Sequence, residues 1–112
     1  MKSYSRDELE EILRLHLLWI NGADSGKRAD LSNAILSNAD LQDADLSDAR
    51  LDGANLRGAD LRGANLRGAD LRSADLSGAD LRWTELNGAD QRAAKLSGAN
   101  LAHVLIDERT RF

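Results

Sequence analysis

The sequence predicts an all-β solenoid preceded by one α-helix. Residues 29–108 consist of sixteen tandem copies of one five-residue repeat, which we call the phrase. The phrase is a small residue, usually Ala, then Asp or Asn, then Leu, then two variable positions that often end in Gly. The first 22 residues instead show helical spacing of apolar residues. A short unit repeated this often buries its apolar face only against its neighbours, which is typical of a solenoid.

The period of five decides the kind of solenoid. Leucines five apart fall about 140° apart around a helix and alternate faces along one strand, so neither element buries them. Within one phrase the Ala and the Leu are two apart, so a short extended segment points both inward and the Asp or Asn outward. The last two residues turn a corner, and Gly at the second of them favours the positive φ of such a turn. The chain therefore coils with its leucines inside.

The A(D/N)LXX phrase resembles the pentapeptide-repeat family over about 80 of the 112 residues. The resemblance implies a right-handed quadrilateral parallel β-helix with four repeats per coil. Each coil then holds twenty residues, and the sixteen repeats make about four coils. Leu31, Leu51 and Leu71 are expected to stack in one column.

The N-terminal segment 1–22 predicts a capping helix. Ser5 and Glu8 form a capping-box pattern, and Asn21 with Gly22 supplies the stop. We expect the helix to shield the first Leu layer from water, with His16 and Trp19 packing rather than binding a ligand. A membrane-binding or partner-binding amphipathic helix is the alternative, which the acidic polar face disfavours. The apolar residues at helical spacing are Leu9, Ile12, Leu13, Leu17 and Ile20.

The remaining boundaries follow from the register. Residues 23–28 lead into the repeat with one extra residue, the repeat runs over 29–108, and the tail 109–112 is too short for another element. Gln91 is the one polar residue at a Leu position. An unpaired buried amide costs roughly 1–3 kcal/mol, so we expect this side chain to join the backbone ladder or turn outward.

Composition excludes several classes of function. The chain has no Cys and a formal charge of -4. It shows no phosphate loop and no zinc or calcium spacing, and its two histidines lie far apart in sequence. No apolar run approaches a membrane span, and no signal-peptide pattern opens the sequence. We therefore expect a soluble cytoplasmic protein that is not an enzyme, has no cofactor or metal, and binds neither membrane nor nucleic acid directly.

The candidate interaction surface lies on one side of the predicted prism. Stacking by twenty puts three Asp residues in a column beside two Arg residues, each of which we expect to reach acids in its own and the adjacent coil. Trp83 is the only aromatic residue at an outward position of a repeat, with Gly63 on one side and His103 on the other. The alternative is a solvated face with compensated charge and one exposed aromatic. The surface comprises Trp83, Arg82, His103, Arg62, Asp40, Asp60 and Asp80.

Two functions are compatible with this surface. The first is a protein-interaction scaffold with an unidentified protein partner. The second comes from the resemblance, because some pentapeptide-repeat proteins mimic duplex DNA and bind type II topoisomerases such as gyrase. Residues 23–108 carry fifteen acids and ten bases, a net charge of -5. Duplex DNA of about the same length, ~19 Å, carries about eleven charges, which favours the scaffold.

The C-terminal end predicts a homodimer. Leu105 replaces Asp or Asn there, and Leu105, Ile106 and Phe112 would leave an apolar end with open strand edges. Two copies meeting about a twofold axis would cover both, as longer members of the family imply. The alternative is a monomer in which Phe112 plugs the end.

Overall fold

The computed structural model describes residues 1–112 and contains little regular secondary structure. Strand β1 (Lys2–Ser3), helix α1 (Arg6–Ile20) and strand β2 (Ala34–Ile35) are the only elements longer than one residue. The rest is a succession of turns joined by single-residue parallel bridges. These bridges link residues twenty apart, from Asp30 with Arg50 to Glu85 with Leu105. The expected coil length of twenty residues is therefore present.

The core is a stack of leucine and alanine side chains. One cluster of 22 buried residues runs through the repeat, from Ala29 and Leu31 to Leu86 and Ala89. Leu31, Leu51 and Leu71 are all fully buried, in successive coils of one column. Burying one Leu contributes about 1.5–3 kcal/mol, so the column carries much of the driving force for folding.

Each repeat between residues 49 and 83 satisfies four of its five backbone N–H groups with carbonyl groups. Three of these bonds run to neighbouring coils, and the fourth closes the corner turn. The coil direction is thus fixed by main-chain bonds that do not depend on the variable side chains. Around Leu51, the Leu51 N–H donates to the Asp70 carbonyl at 2.8 Å and the Gly53 N–H to the Arg72 carbonyl at 2.9 Å. The Ala54 N–H donates to the Leu51 carbonyl at 3.0 Å and the Asn55 N–H to the Ala34 carbonyl at 2.9 Å.

The fifth N–H group is bound by the Asp or Asn of the phrase. All eleven Asp and Asn residues at this position accept the backbone N–H two residues later, at 3.0–3.3 Å. This arrangement is an Asx turn, which the short Asp and Asn side chains form and longer ones do not. The outward Asp and Asn columns therefore have a structural role that the sequence interpretation did not predict.

Glycine is required at some corners by its neighbours as well as by φ. Gly63 has φ +68°, and a Cβ atom there would collide with the carboxylate of Asp43 in the coil below. The other glycines of the second coil face first-coil side chains in the same way. The expectation of positive φ at the last position of the repeat is confirmed.

Helix α1 begins with the predicted capping box. The Glu8 N–H donates to Ser5 Oγ at 3.1 Å, and the Ser5 N–H donates to Glu8 Oε1 at 2.9 Å. Leu9, Ile12 and Leu13 pack against the core. The predicted apolar stripe is wrong at its C-terminal half, where Leu17 and Ile20 are exposed. His16 takes their place, because Leu9 and residues three, four and seven further on share one face.

His16 is fully buried between the helix and the first coils. The Ala29 N–H donates to His16 Nδ1 at 2.9 Å, and Nε2 lies 2.8 Å from the Ser47 carbonyl oxygen. Only the neutral ring protonated on Nε2 satisfies both bonds. The ring also stacks on Trp19 with centroids 5.5 Å apart. The side chain thus packs inside the interface and fastens α1 to the repeat.

Both termini extend the ladder of parallel bridges. Strand β1 pairs in parallel with β2, Lys2 beside Ala34. At the other end Arg111 pairs with Asp90, so the tail does not end without a ladder partner. The last corner comes one residue late because Asp107 Oδ1 accepts the Arg109 N–H at 3.0 Å. The regular register therefore ends after Ile106, within the predicted repeat of 29–108.

Gln91 contradicts its expected placement. Its side chain is 2 % exposed, and neither Oε1 nor Nε2 has a hydrogen-bond partner. The backbone N–H of Gln91 donates to the Arg111 carbonyl at 2.7 Å. Gln91 therefore joins the ladder through its backbone and not through its side-chain amide. The side chain occupies the column of Leu31, Leu51 and Leu71, where its neighbours are apolar.

Candidate interaction face

The third face consists of the stacked segments 39–43, 59–63, 79–83 and 99–103. Parallel bridges join Asp40 to Asp60, Asp60 to Asp80 and Asp80 to Asn100. The three acids therefore lie in one column, and each is held outward by the Asx turn that it caps. The backbone fixes the position of these carboxylates before any partner contacts them.

Two arginines neutralise part of this column. Arg62 forms a bidentate ion pair with Asp60, in which Nη2 donates to Oδ2 at 2.7 Å and Nε donates to Oδ1 at 2.9 Å. Its Nε also lies 3.7 Å from Asp80 Oδ2, as expected for contact with the adjacent coil. Arg82 grips Asp80 in the same way, at 2.7 and 2.9 Å. Arg82 forms no ion pair within 4 Å with an acid in an adjacent coil, although besides its bond to Asp80 the charge of Asp60 also raises the pKa of Arg82.

The ion pairs also shift the ionisation of the column. The Arg62 guanidinium lowers the pKa of Asp60, and the Arg82 guanidinium lowers the pKa of Asp80. The backbone N–H of each Asx turn acts in the same direction. Both carboxylates are therefore ionised and paired at neutral pH. Asp40 has no cation within 4 Å and is bound instead by Gln42, at 3.1 Å from Nε2.

An exposed aromatic pair lies beside these ion pairs. The Trp83 and His103 rings stack with centroids 4.3 Å apart and an interplanar angle of 8°. The Trp83 side chain remains 60 % exposed. The structure thus brings together the aromatic residues of two successive coils, and Arg82 is the chain neighbour of the indole.

The backbone under this pair is strained. Trp83 has φ +63° and His103 has φ +62°, a conformation that costs most L residues about 1–2 kcal/mol. A bulky residue there is a genuine outlier. Seven other repeats solve the same corner with Gly. A stacked aromatic pair contributes about 0.5–1.5 kcal/mol of stabilisation, which does not offset the conformational strain of the two residues.

The predicted dimer end is apolar and open. Leu105, Ile106 and Phe112 are 47 %, 52 % and 62 % exposed. The backbone N–H groups of Leu96 and Leu101 have no backbone acceptor, unlike their equivalents in earlier coils. Arg111 covers one side of this end through its bridge to Asp90. The other sides present unpaired strand edges.

Neither a metal centre nor a membrane span stands out elsewhere in the molecule. No group of three or more His, Cys, Asp and Glu side chains could hold a metal ion. Helix α1 lacks the length and the apolar character that crossing a bilayer demands.

Comparison with known proteins places the chain among relatives with the same repeat. The family model for pentapeptide repeats matches residues 27–63, 54–92 and 74–105. The crystal structure of alr5209, a pentapeptide repeat protein from Nostoc PCC 7120, is 38% identical with a TM-score of 0.52, covering 88% of this chain and 82% of that one. A pentapeptide repeat protein from the Arabidopsis thaliana thylakoid lumen is 32% identical with a TM-score of 0.43, covering 68% of this chain and 63% of that one.

More distant likeness reaches QnrB1, described as a plasmid-mediated fluoroquinolone resistance protein. It is 27% identical with a TM-score of 0.32, and the match covers 70% of this chain and 38% of that one. No functionally curated protein matches the chain. The likeness to alr5209 extends to the fold, in agreement with the twenty-residue bridges described above. The repeat, its coil length and the family match over residues 27–105 show that the chain belongs to the pentapeptide-repeat family.

Proposed function

We propose that the protein is a non-enzymatic scaffold that binds another protein through the third face. One observation carries the proposal: Trp83 is 60 % exposed on a strained backbone where Gly would be relaxed. Every other residue that takes positive φ at this corner has a smaller side chain than Trp, so we infer that the indole serves another purpose. Trp and Arg are the residues most enriched in binding hot spots.

The surroundings of Trp83 suit a protein interface. The Asp60–Arg62 and Asp80–Arg82 pairs are partly exposed and internally compensated, so a partner can cover them without burying unpaired charge. The stacked His103 fixes the indole and reduces the entropy that binding would otherwise remove. The flat column of Asx turns provides a rigid base. We place this interaction in the cytoplasm.

Affinity capture with matched variants tests the proposal. Wild type, Trp83→Ala and Trp83→Gly are compared, with Trp19→Leu as the control that removes the other Trp. A partner bound through the third face is lost from both Trp83 variants and kept by the control. With the purified partner, a hot spot of about 2 kcal/mol gives a Kd increase of about thirtyfold. If Trp83→Ala retains every partner with unchanged Kd, the proposal fails.

DNA mimicry toward a type II topoisomerase is the competing function. It needs uncompensated negative charge, whereas on the third face Asp60 and Asp80 are both paired with Arg. A gyrase supercoiling assay separates the two functions. The triple variant Asp40→Asn, Asp60→Asn, Asp80→Asn keeps the Asx acceptors and removes the charge. Inhibition or protection by wild type that this variant lacks would favour mimicry over the scaffold.

We also propose a homodimer through the C-terminal coil. The exposed Leu105, Ile106 and Phe112 and the unpaired edges next to them support this interface. Light scattering at tens of micromolar measures it. The dimer has twice the 12.2 kDa mass of the chain and dissociates on Leu105→Asp. A mass of one chain for wild type favours a monomer with Phe112 over its end.

A further inference from the structure

A cleft of about 430 Å³ lies at the N-terminal end, between helix α1 and the first coil. We call it the N-terminal cleft. Its volume falls within the range of roughly 300–1,000 Å³ that is usual for small-molecule sites. Three separate segments contribute to it: the residues before α1, the helix itself and the stretch that leads into the repeat. Its lining combines Tyr4, Ile12 and Leu15 with Lys2, Lys27 and Arg28.

None of the three cations of the cleft forms a salt bridge within 4 Å. Nine of the fifteen Lys and Arg residues form salt bridges, all of them Arg. Half of the six that remain line this one cleft. Lys2 Nζ lies 5.3 Å from the Tyr4 ring centre, a cation–π contact rather than an ion pair. Positive charge is thus concentrated here in a chain whose net charge is -4.

Main-chain contacts position the residues that carry two of these cations. Gly26 packs against the backbone of Trp19 so closely that a Cβ atom would collide with it. The Lys27 N–H then donates to the Leu15 carbonyl at 2.9 Å. Arg28 donates from Nε to the Asp48 carbonyl at 2.6 Å. Its two terminal nitrogens make no hydrogen bond within the protein, which leaves a fixed fork of donors.

The one acid in the lining is already engaged. Asp30 Oδ1 accepts from the Ser32 hydroxyl at 2.6 Å and from the Ser32 N–H at 3.1 Å. Its Oδ2 lies 3.6 Å from Arg50 Nη1. Asp30 also interacts electrostatically with Arg28. The lining therefore holds three cations and one acid, which leaves a net charge of +2 facing the cleft.

We propose that the N-terminal cleft binds a small organic anion, a phosphate or carboxylate group carried on an apolar body of about one ring. Lys2, Lys27 and Arg28 recognise the anion, and charge-assisted hydrogen bonds of this kind are the strong ones. Tyr4, Ile12 and Leu15 cover the apolar body. The ligand contacts α1 and the repeat together, so its binding stabilises the attachment of the helix. This site is independent of Trp83 and the third face.

Isothermal titration at constant ionic strength tests the proposal with four probes: phenyl phosphate, benzoate, inorganic phosphate and benzyl alcohol. We expect at least one of the two aryl anions to bind about tenfold tighter than inorganic phosphate, and benzyl alcohol to show no binding. The tighter aryl anion identifies the head group. Amide NMR shifts for residues 27–32 locate the site. Equal binding of inorganic phosphate and both aryl anions, or no binding of either aryl anion, overturns the proposal.

Matched variants separate a site from general charge attraction. Lys27→Gln and Arg28→Gln each weaken the binding of the aryl anion about tenfold or more, because each loses a charge-assisted hydrogen bond. Lys95→Gln removes another unpaired cation, in the last coil at the opposite end of the stack from the cleft, and leaves the Kd unchanged. Circular dichroism shows that each variant is folded before titration. If Lys95→Gln weakens binding as much as Lys27→Gln, the cleft is not the site.

Discussion

The backbone N–H of Ala29 donates a 2.9 Å hydrogen bond to Nδ1 of His16, which joins the helix to the first residue of the repeat. The same ring bonds to the Ser47 carbonyl at 2.8 Å, so one side chain satisfies a buried donor and an acceptor. His16→Leu leaves both unpaired and lowers the free energy of unfolding by about 2 kcal/mol or more. Urea denaturation measures the loss. Leu17→Ala, at an exposed site on the same helix, is the control, and an equal effect would contradict the role of His16.

Removal of residues 1–22 tests the helix as a whole. Leu9, Ile12 and Leu13 pack against the core, so their loss exposes the first Leu layer. Each uncovered Leu forfeits about 1.5–3 kcal/mol and leaves an adhesive surface. We expect aggregation or the loss of cooperative unfolding, measured by light scattering and thermal melting. A soluble truncation with the Tm of the full chain would contradict a capping role.

The Asx turns predict that Asn, but not Ala, can replace Asp within the repeat. Asp60 Oδ1 accepts the Arg62 N–H at 3.2 Å, and Asn offers the same oxygen. Asp60→Ala lowers the free energy of unfolding by about 1 kcal/mol, because the N–H loses its acceptor within the protein. Asp60→Asn loses only the exposed ion pair, which contributes about 0–1 kcal/mol. Equal destabilisation by the two variants would show that charge, not the turn, explains the preference for Asp.

Stability should fall in acid because the paired carboxylates have lowered pKa values. The Arg92 guanidinium lowers the pKa of Asp90 to about 2, and hydrogen bonds from Ser77 lower that of Asp75 to about 2. The unfolded chain binds protons near pH 4, before the folded one does. The stabilisation is therefore complete above about pH 5 and disappears as the pH falls through 4 toward 2.

Urea midpoints between pH 7 and pH 2 measure this loss. Asp90→Asn keeps the Asx acceptor and removes one titrating group, so its midpoint should depend less steeply on pH. A wild-type midpoint that stays constant from pH 5 to pH 2.5 would contradict the role of the paired carboxylates.

The sequence predicted the coil and its core well because both depend on a local pattern repeated many times. An Ala and a Leu two residues apart in every phrase fix the inward face, and the coil length brings Leu31, Leu51 and Leu71 into one buried column. The same stacking placed His103 next to Trp83, which the ring contact bears out. The Asx role of Asp and Asn was missed, although the preference for these residues over Glu in the phrase was its visible sign.

Features that depend on distant backbone atoms were not predictable. His16 looks like a polar exception on an apolar helix face, and its partners lie 13 and 31 residues away. The late corner at the C-terminus is equally hidden in the sequence. Ile106 stands at a Leu position, and the two residues after it stand at the variable positions of the phrase. In the structure, Thr110 marks the late corner, because its hydroxyl donates to the Leu86 carbonyl at 3.0 Å. The Thr84 hydroxyl donates to the Leu61 carbonyl in the same way, at 2.7 Å. The N-terminal cleft joins three segments that no sequence spacing relates.

Gln91 predicts that a single substitution stabilises the protein. Its buried Oε1 and Nε2 have no partner, whereas Leu31, Leu51 and Leu71 fill the same column without polar atoms. Gln91→Leu removes two unsatisfied groups and should raise the free energy of unfolding by about 1–3 kcal/mol. For a domain of this size, each kcal/mol raises the Tm by roughly 4–8 °C. Leu71→Gln, the reverse change one coil earlier, should destabilise. If Gln91→Leu lowers the Tm, the amide has a polar partner in solution, such as water or a second chain at the C-terminal end.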